Sequence, residues 1–306
     1  KRQVSRLAFF RAIPRLRRLV KIAGTDLIVA FMHSSYVPLA LALMGTGCRI
    51  IASEHAPASH YRMRPFERFL IEFADRLILA KTVPSDAVSR EYSRRSRCLP
   101  SVVPNPVYIE KFLPDAKTIA TDSHLLLSVG RMRIEKGHLD LLRAFSLIAG
   151  EFPEWMLRLV GDGELRENIE REIAALGLRQ RVQLPGTSRH VAAEYARASI
   201  VVLPSHYESF GLVAAEALAS GRAVIAFEDC QGIAEMIENG RNGLLIKAGG
   251  DRVVSLADGL RRLMSDREMR NRLATAGPDS VRRFALDEVL TTWENFLTGL
   301  FHGDPR

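Results

Sequence analysis

Pro204-Ser205-His206-Tyr207-Glu208-Ser209-Phe210-Gly211-Leu212-Val213-Ala214-Ala215-Glu216-Ala217-Leu218-Ala219-Ser220-Gly221 is the stretch on which the fold of the second half turns. The four residues before it, Ile200-Val201-Val202-Leu203, form an apolar run too short for a helix, so they read as a buried strand. A polar loop carrying Glu208 follows. Gly211 then lets the backbone turn, and a small-residue helix over 212–220 runs until Gly221 stops it. A helix that begins at the carboxyl end of a strand lies where open α/β sheets take ligands. Ser209, Phe210, Gly211 and Leu212 sit at its start, where backbone N–H groups lack intrahelical acceptors and the dipole suits a phosphate. Glu216 lies on the order of 7.5 Å further along the axis. One carboxylate beside a diphosphate and another beyond it would suit a diphosphate with a sugar hydroxyl at each end. Either acid alone could equally be a solvated surface charge. The loop, glycine and helix around them are what make the pair a site.

Working outward, the same strand–loop–helix grammar recurs. Ser128-Val129-Gly130-Arg131-Met132-Arg133-Ile134-Glu135-Lys136-Gly137 ends another strand and opens another helix. Its Arg131 and Lys136 stand five residues apart around a tight loop, so both can reach one anion, and Gly130 and Gly137 permit the turns. At about 4 Å and an effective dielectric near 20, each cation–anion pair is worth roughly 4 kcal/mol before desolvation, enough to replace much of a divalent ion's role. Gly161-Asp162-Gly163 also follows a strand, but Arg166 occupies the third glycine position of a dinucleotide fingerprint, which argues against a nicotinamide site. Expected strands over 125–129, 156–160, 181–184, 200–203, 223–227 and 243–246 alternate with helices over 137–152, 164–176, 192–198, 212–220 and 233–238. They describe a six-strand, doubly wound α/β domain. Helices over 251–276 and 286–301 close the chain.

The first half repeats the alternation with fewer strands, at 26–31, 49–53, 76–80 and near Val102, after a basic helix over 5–22. Pro38 is expected just inside a helix capped by Ser34 or Ser35. His33 and His55 each follow a strand, at the edge where a ligand would lie. A lone histidine is more often structural, and His55 is the better candidate. Pro104-Asn105-Pro106 and the aperiodic stretch 115–122 read as an irregular exit and linker. The expected domains are therefore 1–115, 122–285 and a closing helix over 286–306.

Composition bounds the rest. The chain has 306 residues, 47% of them apolar and 25% charged, enough for two ordinary cores. Its longest apolar run, 37–44, is less than half of the roughly 18 residues that a membrane span needs. Cys48, Cys98 and Cys230 lie far apart without metal-ligand spacing, which suits a reducing cytoplasm and argues against zinc or a disulfide framework. Residues 1–115 hold 19 Lys and Arg against 9 Asp and Glu, whereas the remainder holds 24 against 26. The aromatics do not interleave with the arginines as single-stranded nucleic acid would require. The Arg11–Lys21 stretch instead reads as an amphipathic basic helix, equally a solvated structural face or one that lies on anionic lipid.

The Val129-Gly130-Arg131 to Lys136-Gly137 loop, the Gly161-Asp162-Gly163 turn and above all Glu208 through Glu216 resemble the retaining GT-B glycosyltransferases of family 4, the glycosyl transferases group 1. The signature of that family is two glutamates separated by seven residues. The resemblance implies two Rossmann-like, doubly wound domains facing across a cleft. It implies a first domain that is incomplete, because the family's opening strand and glycine-rich loop have no counterpart here and the chain reads as N-terminally truncated. Asp229-Cys230-Gln231-Gly232 stands where a Gly-Gly turn is commoner. Arg131 and Lys136 would bind the donor diphosphate, Glu216 the ribose and Glu208 the transferred sugar. Gly130, Gly161 and the amides around Ser209 to Leu212 would line the phosphates, with His55 near the reacting sugar. The implied activity moves a UDP-linked hexose to a lipid-linked or polysaccharide acceptor with retention, in cell-envelope polysaccharide synthesis at the inner membrane face. It uses no cofactor and no metal, since no DxD pair stands in a suitable loop. The alternatives are a truncated module that binds nucleotide sugar without transfer, a GT-B isomerase, or a nucleic-acid binder resting on the basic half alone.

Overall fold

In the computed structural model, which describes residues 6–62, 64–93, 99–113 and 123–302, the alternation becomes two parallel α/β units. One comprises residues 1–104 with 295–306, the other 105–294. The expected boundary at 115–122 falls outside the described residues except at its flanks, and the division by contact lies earlier, after Pro104. The closing helix is likewise shared: it belongs to the second unit up to Glu294 and to the first from Asn295.

The first unit runs α1 (Arg6–Ala23), β1 (Leu27–Phe31), α2 (His33–Ala42), β2 (Arg49–Ser53), α3 (Pro65–Ala74), β3 (Ala80–Val83), α4 (Asp86–Ser93) and β4 (Ser101–Val102). Its four strands pair in parallel in the order β1-β2-β3-β4. Ala30, Ile50 and Ala52 from the sheet pack with Tyr36, Val37 and Ala40 of α2 and Ile71 and Ala74 of α3. The apolar side of α1, through Ile13, Leu16 and Val20, is packed against this core.

Two expectations change here. The third strand lies at Ala80–Val83 and not over 76–80, because α3 ends in turns that hold Arg76 and Leu77 to the carbonyls of Phe73 and Ala74. The true strand carries a fully buried Lys81, which pairs with Asp75 at 2.5 Å and lies over the ring of Tyr92, 4.7 Å from its centroid. Helix α2 starts at His33, so Pro38 falls in its interior, and the residue before it, Met32, takes φ +67°, an uncommon conformation for a side-chain-bearing residue.

The second unit runs β5 (Leu125–Val129), α5 (His138–Ile148), β6 (Met156–Val160), α6 (Arg166–Ala175), β7 (Val182–Gly186), α7 (Val191–Arg197), β8 (Ile200–Leu203), α8 (Leu212–Ala219), β9 (Ala223–Phe227), α9 (Gln231–Ala234) and β10 (Leu244–Ile246). Helices α10 (Arg252–Ser265), α11 (Arg267–Ser280) and α12 (Leu286–His302) follow. The one helix expected over 251–276 is two, because Asp266 breaks it and caps the second by accepting the Met269 N–H at 2.8 Å. Helix α9 lies two residues earlier than expected and starts after Cys230, whose carbonyl accepts the N–H groups of Ile233 and Ala234.

All pairings in this sheet are parallel, in the order β10-β9-β8-β5-β6-β7. From β5 the chain builds outward through β6 and β7, then returns to place β8 on the other side of β5. The order therefore reverses between β5 and β8. The loops leaving their carboxyl ends diverge to opposite faces and open a crevice, the position at which such sheets bind ligands.

Candidate functional site

The crevice is built backbone on backbone. Glycine is required where two loops approach closer than a side chain allows. At Gly161, φ is +142° and an added Cβ would stand 1.9 Å from the Gly130 carbonyl oxygen. At Gly137, φ is +67° and a Cβ would stand 2.1 Å from the Pro204 oxygen. These contacts weld the loop after β5 to those after β6 and β8. The Met132 N–H donates to the Asp162 carbonyl at 2.9 Å, and the His206 N–H donates to the Glu135 carbonyl at 2.9 Å. His206 Nε2 also meets Asp140 Oδ2 at 3.1 Å.

On this frame Lys136 and Glu208, 72 residues apart in sequence, are brought into direct contact, Nζ against Oε1. The Lys136 stem lies across Gly130, whose hypothetical Cβ would touch its Cδ at 3.6 Å. Each side chain keeps 18% of its surface exposed. The Ser205 hydroxyl donates to the same Glu208 oxygen at 3.2 Å. Behind them, burial, followed by the charges of Glu208 and Asp229, pushes the Cys230 thiol up to about 12, so it stays protonated. Gly232 supports the Glu208 loop from below, since a Cβ there would stand 2.1 Å from the Glu208 carbonyl oxygen. Gly232 itself was visible in sequence only as part of an unusual turn.

Helix α8 starts from Gly211 at φ +82°. The Phe210 side chain is buried and packs edge-on against Phe284, with ring centroids 5.1 Å apart, anchoring the loop. Leu212 is exposed. Glu216 is held by the Tyr195 hydroxyl, which donates to Oε2 at 3.0 Å. Burial raises the Glu216 carboxyl above the ordinary range, and the Tyr195 bond opposes that shift. Tyr195 is fully buried with its phenol held protonated, a fixed donor. Its part in the site is not readable from the sequence, where it is only the core residue of a short helix. Arg131 is exposed, and no described side chain pairs with it.

The remaining sequence candidates belong to the first unit. His55 Nε2 is 3.1 Å from the Ser53 hydroxyl, its ring is 5.8 Å from that of Phe31, and burial lowers its pKa against the pull of Glu54, which favours a neutral imidazole. Beside it, Glu54 is fully buried and accepts the N–H groups of His33 at 3.1 Å and Ala56 at 2.9 Å. Tyr61 bonds His33 Nδ1 at 2.6 Å. The cluster of buried Glu54 and Tyr61 with half-buried His33 escaped the sequence reading, because a charged residue after a strand gives no sign of being buried. Among the described residues no three His, Cys, Asp or Glu side chains gather as metal ligands. No helix among them is long and apolar enough to cross a membrane.

The chain is 37% identical over 168 residues to an exopolysaccharide phosphotransferase of Streptomyces coelicolor, a match covering 54% of this chain and 18% of that protein. It is 24% identical over 289 residues, 93% of this chain and 77% of the other, to the Campylobacter jejuni GalNAc-alpha-(1->4)-GalNAc-alpha-(1->3)-diNAcBac-PP-undecaprenol alpha-1,4-N-acetyl-D-galactosaminyltransferase. Among solved structures, Anabaena HepE in complex with UDP-glucose superposes with a TM-score of 0.83 at 22% identity, covering 94% of this chain and 82% of that one, which shows a shared GT-B fold. The family model for glycosyl transferases group 1 matches residues 110–280, more than half of the chain and all the loops of the crevice, so this chain belongs to the glycosyl transferases group 1 family.

Proposed function

We propose that the chain is a retaining, metal-independent hexosyltransferase that takes its sugar from a nucleotide sugar, UDP-linked, and gives it to a lipid-linked or polysaccharide acceptor. The observation that carries this reading is the meeting of Lys136 and Glu208 at the crevice between β5 and β8, with Glu216 further along α8 on a fixed Tyr195 donor. In this reading Lys136 and Arg131 neutralise the departing diphosphate in place of a divalent ion. The amides at the start of α8 cap a phosphate, Glu208 binds sugar hydroxyls, and Glu216 accepts from the ribose. The acceptor hydroxyl attacks the face that the diphosphate leaves, and a phosphate oxygen takes its proton, so no covalent enzyme intermediate forms. His55, favoured neutral by burial, serves as a hydrogen-bonding group and not as a cation. The UDP-glucose complex of HepE supports the choice of donor. The undecaprenol-linked acceptor in the name of the Campylobacter relative supports the choice of acceptor.

We further propose a peripheral site of action on an anionic membrane face inside the cell. Support comes from the outer side of α1, where Arg11, Arg15, Arg18 and Lys21 are exposed with Leu19 and Ile22, while its apolar stripe is already used by the core. Co-sedimentation with phosphatidylglycerol vesicles but not with phosphatidylcholine vesicles is the expected result.

Donor hydrolysis over a panel of UDP-, GDP- and ADP-sugars tests the main reading. Glu216→Ala and Lys136→Ala are expected to lower turnover by about two orders of magnitude or more with the fold intact, and EDTA is expected to leave donor binding unchanged. Wild-type turnover in either variant overturns the assignment. Nucleotide binding without transfer to any acceptor would leave a binding module in its place.

A further inference from the structure

We propose that the Lys136–Glu208 contact is a selectivity device: it makes the crevice discriminate against the bare nucleoside diphosphate, the product of transfer, in favour of the sugar-bearing donor. This rests on the donor-site reading above and adds to it a coupling between the phosphate-binding and sugar-binding groups.

The argument is one of charge accounting in a largely desolvated place. The Lys136 ammonium and the Glu208 carboxylate neutralise one another. Both are mostly buried, and Ser205 supplies Glu208 with one further donor. Of the other two cations of the loop, Arg131 pairs with no described side chain and Arg133 pairs with Glu135 at 3.6 Å, so Lys136 is the carboxylate's charge partner. A diphosphate that draws Lys136 Nζ toward its oxygens takes that partner away. Glu208 is then left mostly buried and facing an anion, both of which are unfavourable. A hexose on the diphosphate brings hydroxyl donors to the stranded carboxylate and restores its hydrogen bonding. The sugar thus contributes most of its binding by replacing what Lys136 withdrew. Gly232, where a Cβ would stand 2.1 Å from the Glu208 carbonyl oxygen, lets the backbone that carries Glu208 pack closely against the following turn.

The consequence is an unusual sign. Glu208→Gln keeps the shape and removes the charge, so Lys136 is released to the phosphates. Bare UDP is expected to bind about five- to tenfold more tightly to Glu208→Gln than to the wild type, while UDP-glucose binds no more tightly or more weakly. Titration calorimetry of both ligands on both proteins reads the ratio of the two dissociation constants, which should fall toward one in the variant. Glu208→Asp, which keeps the charge, should retain the wild-type ordering. UDP binding that is unchanged or weakened in Glu208→Gln overturns the proposal but leaves the donor site standing. Failure of the wild type to bind UDP, GDP or ADP, with or without sugar, overturns the donor-site reading itself. Should Glu208→Gln melt below the assay temperature, the same comparison on Ser205→Ala decides. Loss of one Glu208 donor makes the carboxylate depend more on Lys136, so UDP should bind more weakly relative to UDP-glucose, and an unchanged ratio refutes the coupling.

Discussion

Replacing Tyr195 with Phe removes one oxygen atom and is the sharpest probe of how Glu216 is held. The phenol is buried and donates to Glu216 Oε2 at 3.0 Å, while its ring keeps an edge-on contact with Phe112 at 5.8 Å that the variant retains. A hydrogen bond to a charged group is worth about 1.5–3 kcal/mol. Glu216 is only part-buried, so water replaces some of the loss and the lower end applies. About 1.5 kcal/mol corresponds to roughly a tenfold weakening of nucleotide binding. The pH dependence supplies an independent sign. Burial already lifts the Glu216 carboxyl and Tyr195 pulls it down, so deleting the hydroxyl lets it rise further. Binding that needs the carboxylate is lost on acidification, and in Tyr195→Phe that loss should begin at a higher pH than in the wild type. Calorimetry of UDP between about pH 5 and about pH 8, with thermal melts as a control, reads both effects. Equal affinity together with superimposable acid limbs would refute the claim that Tyr195 positions a ligand-binding Glu216.

Gly232→Ala places a methyl group 2.1 Å from the Glu208 carbonyl oxygen, so it should cost about 1–3 kcal/mol and lower turnover by displacing that loop; Gly249→Ala, which meets nothing within 4 Å, is the neutral control in urea melts and donor hydrolysis. His138 is buried and its pKa falls to about 4 from the usual 6.5, through burial and then the Lys136 charge. The folded state therefore binds fewer protons than the unfolded one between those values. Stability is full above about pH 6.5 and lost as the pH falls toward 4, by about 3 kcal/mol, and His138→Leu should flatten that slope in urea titrations. In the first unit, Lys81→Met removes the cation paired with the buried Asp75 and should destabilise by about 3–5 kcal/mol, whereas Lys81→Met with Asp75→Leu should recover most of the loss. A single mutant as stable as the wild type would show that the pair is not desolvated.

How much of this was readable from the sequence follows from the range of the forces involved. Strands β5, β6, β8 and β9 coincide residue for residue with mainly apolar runs bounded by turn residues, Ser128 and Arg158 being single polar positions among apolar neighbours that leave the edges of the runs readable. β3 was misplaced because Lys81 interrupts the apolar run; its burial depends on Asp75, Tyr36 and Tyr92, none of which marks the segment locally. The break at Asp266 is a cap, and a cap inside a helical period is invisible unless the chain is known to bend there. The site divides along the same line. Parallel topology sends every strand–helix loop to one edge of the sheet, so Arg131, Lys136, Glu208 and Glu216 could be assigned to a common edge from their place in the strand–loop–helix units alone. Which loops touch depends on strand order, and the step from β7 back to β8 that puts the Lys136 and Glu208 loops side by side has no local signature. That is why the two residues could be given separate ligand groups from the sequence, while their mutual neutralisation and the Tyr195 support beneath Glu216 emerge only once the sheet is assembled. The coupling between phosphate and sugar recognition is a property of strand order as much as of the residues that carry it.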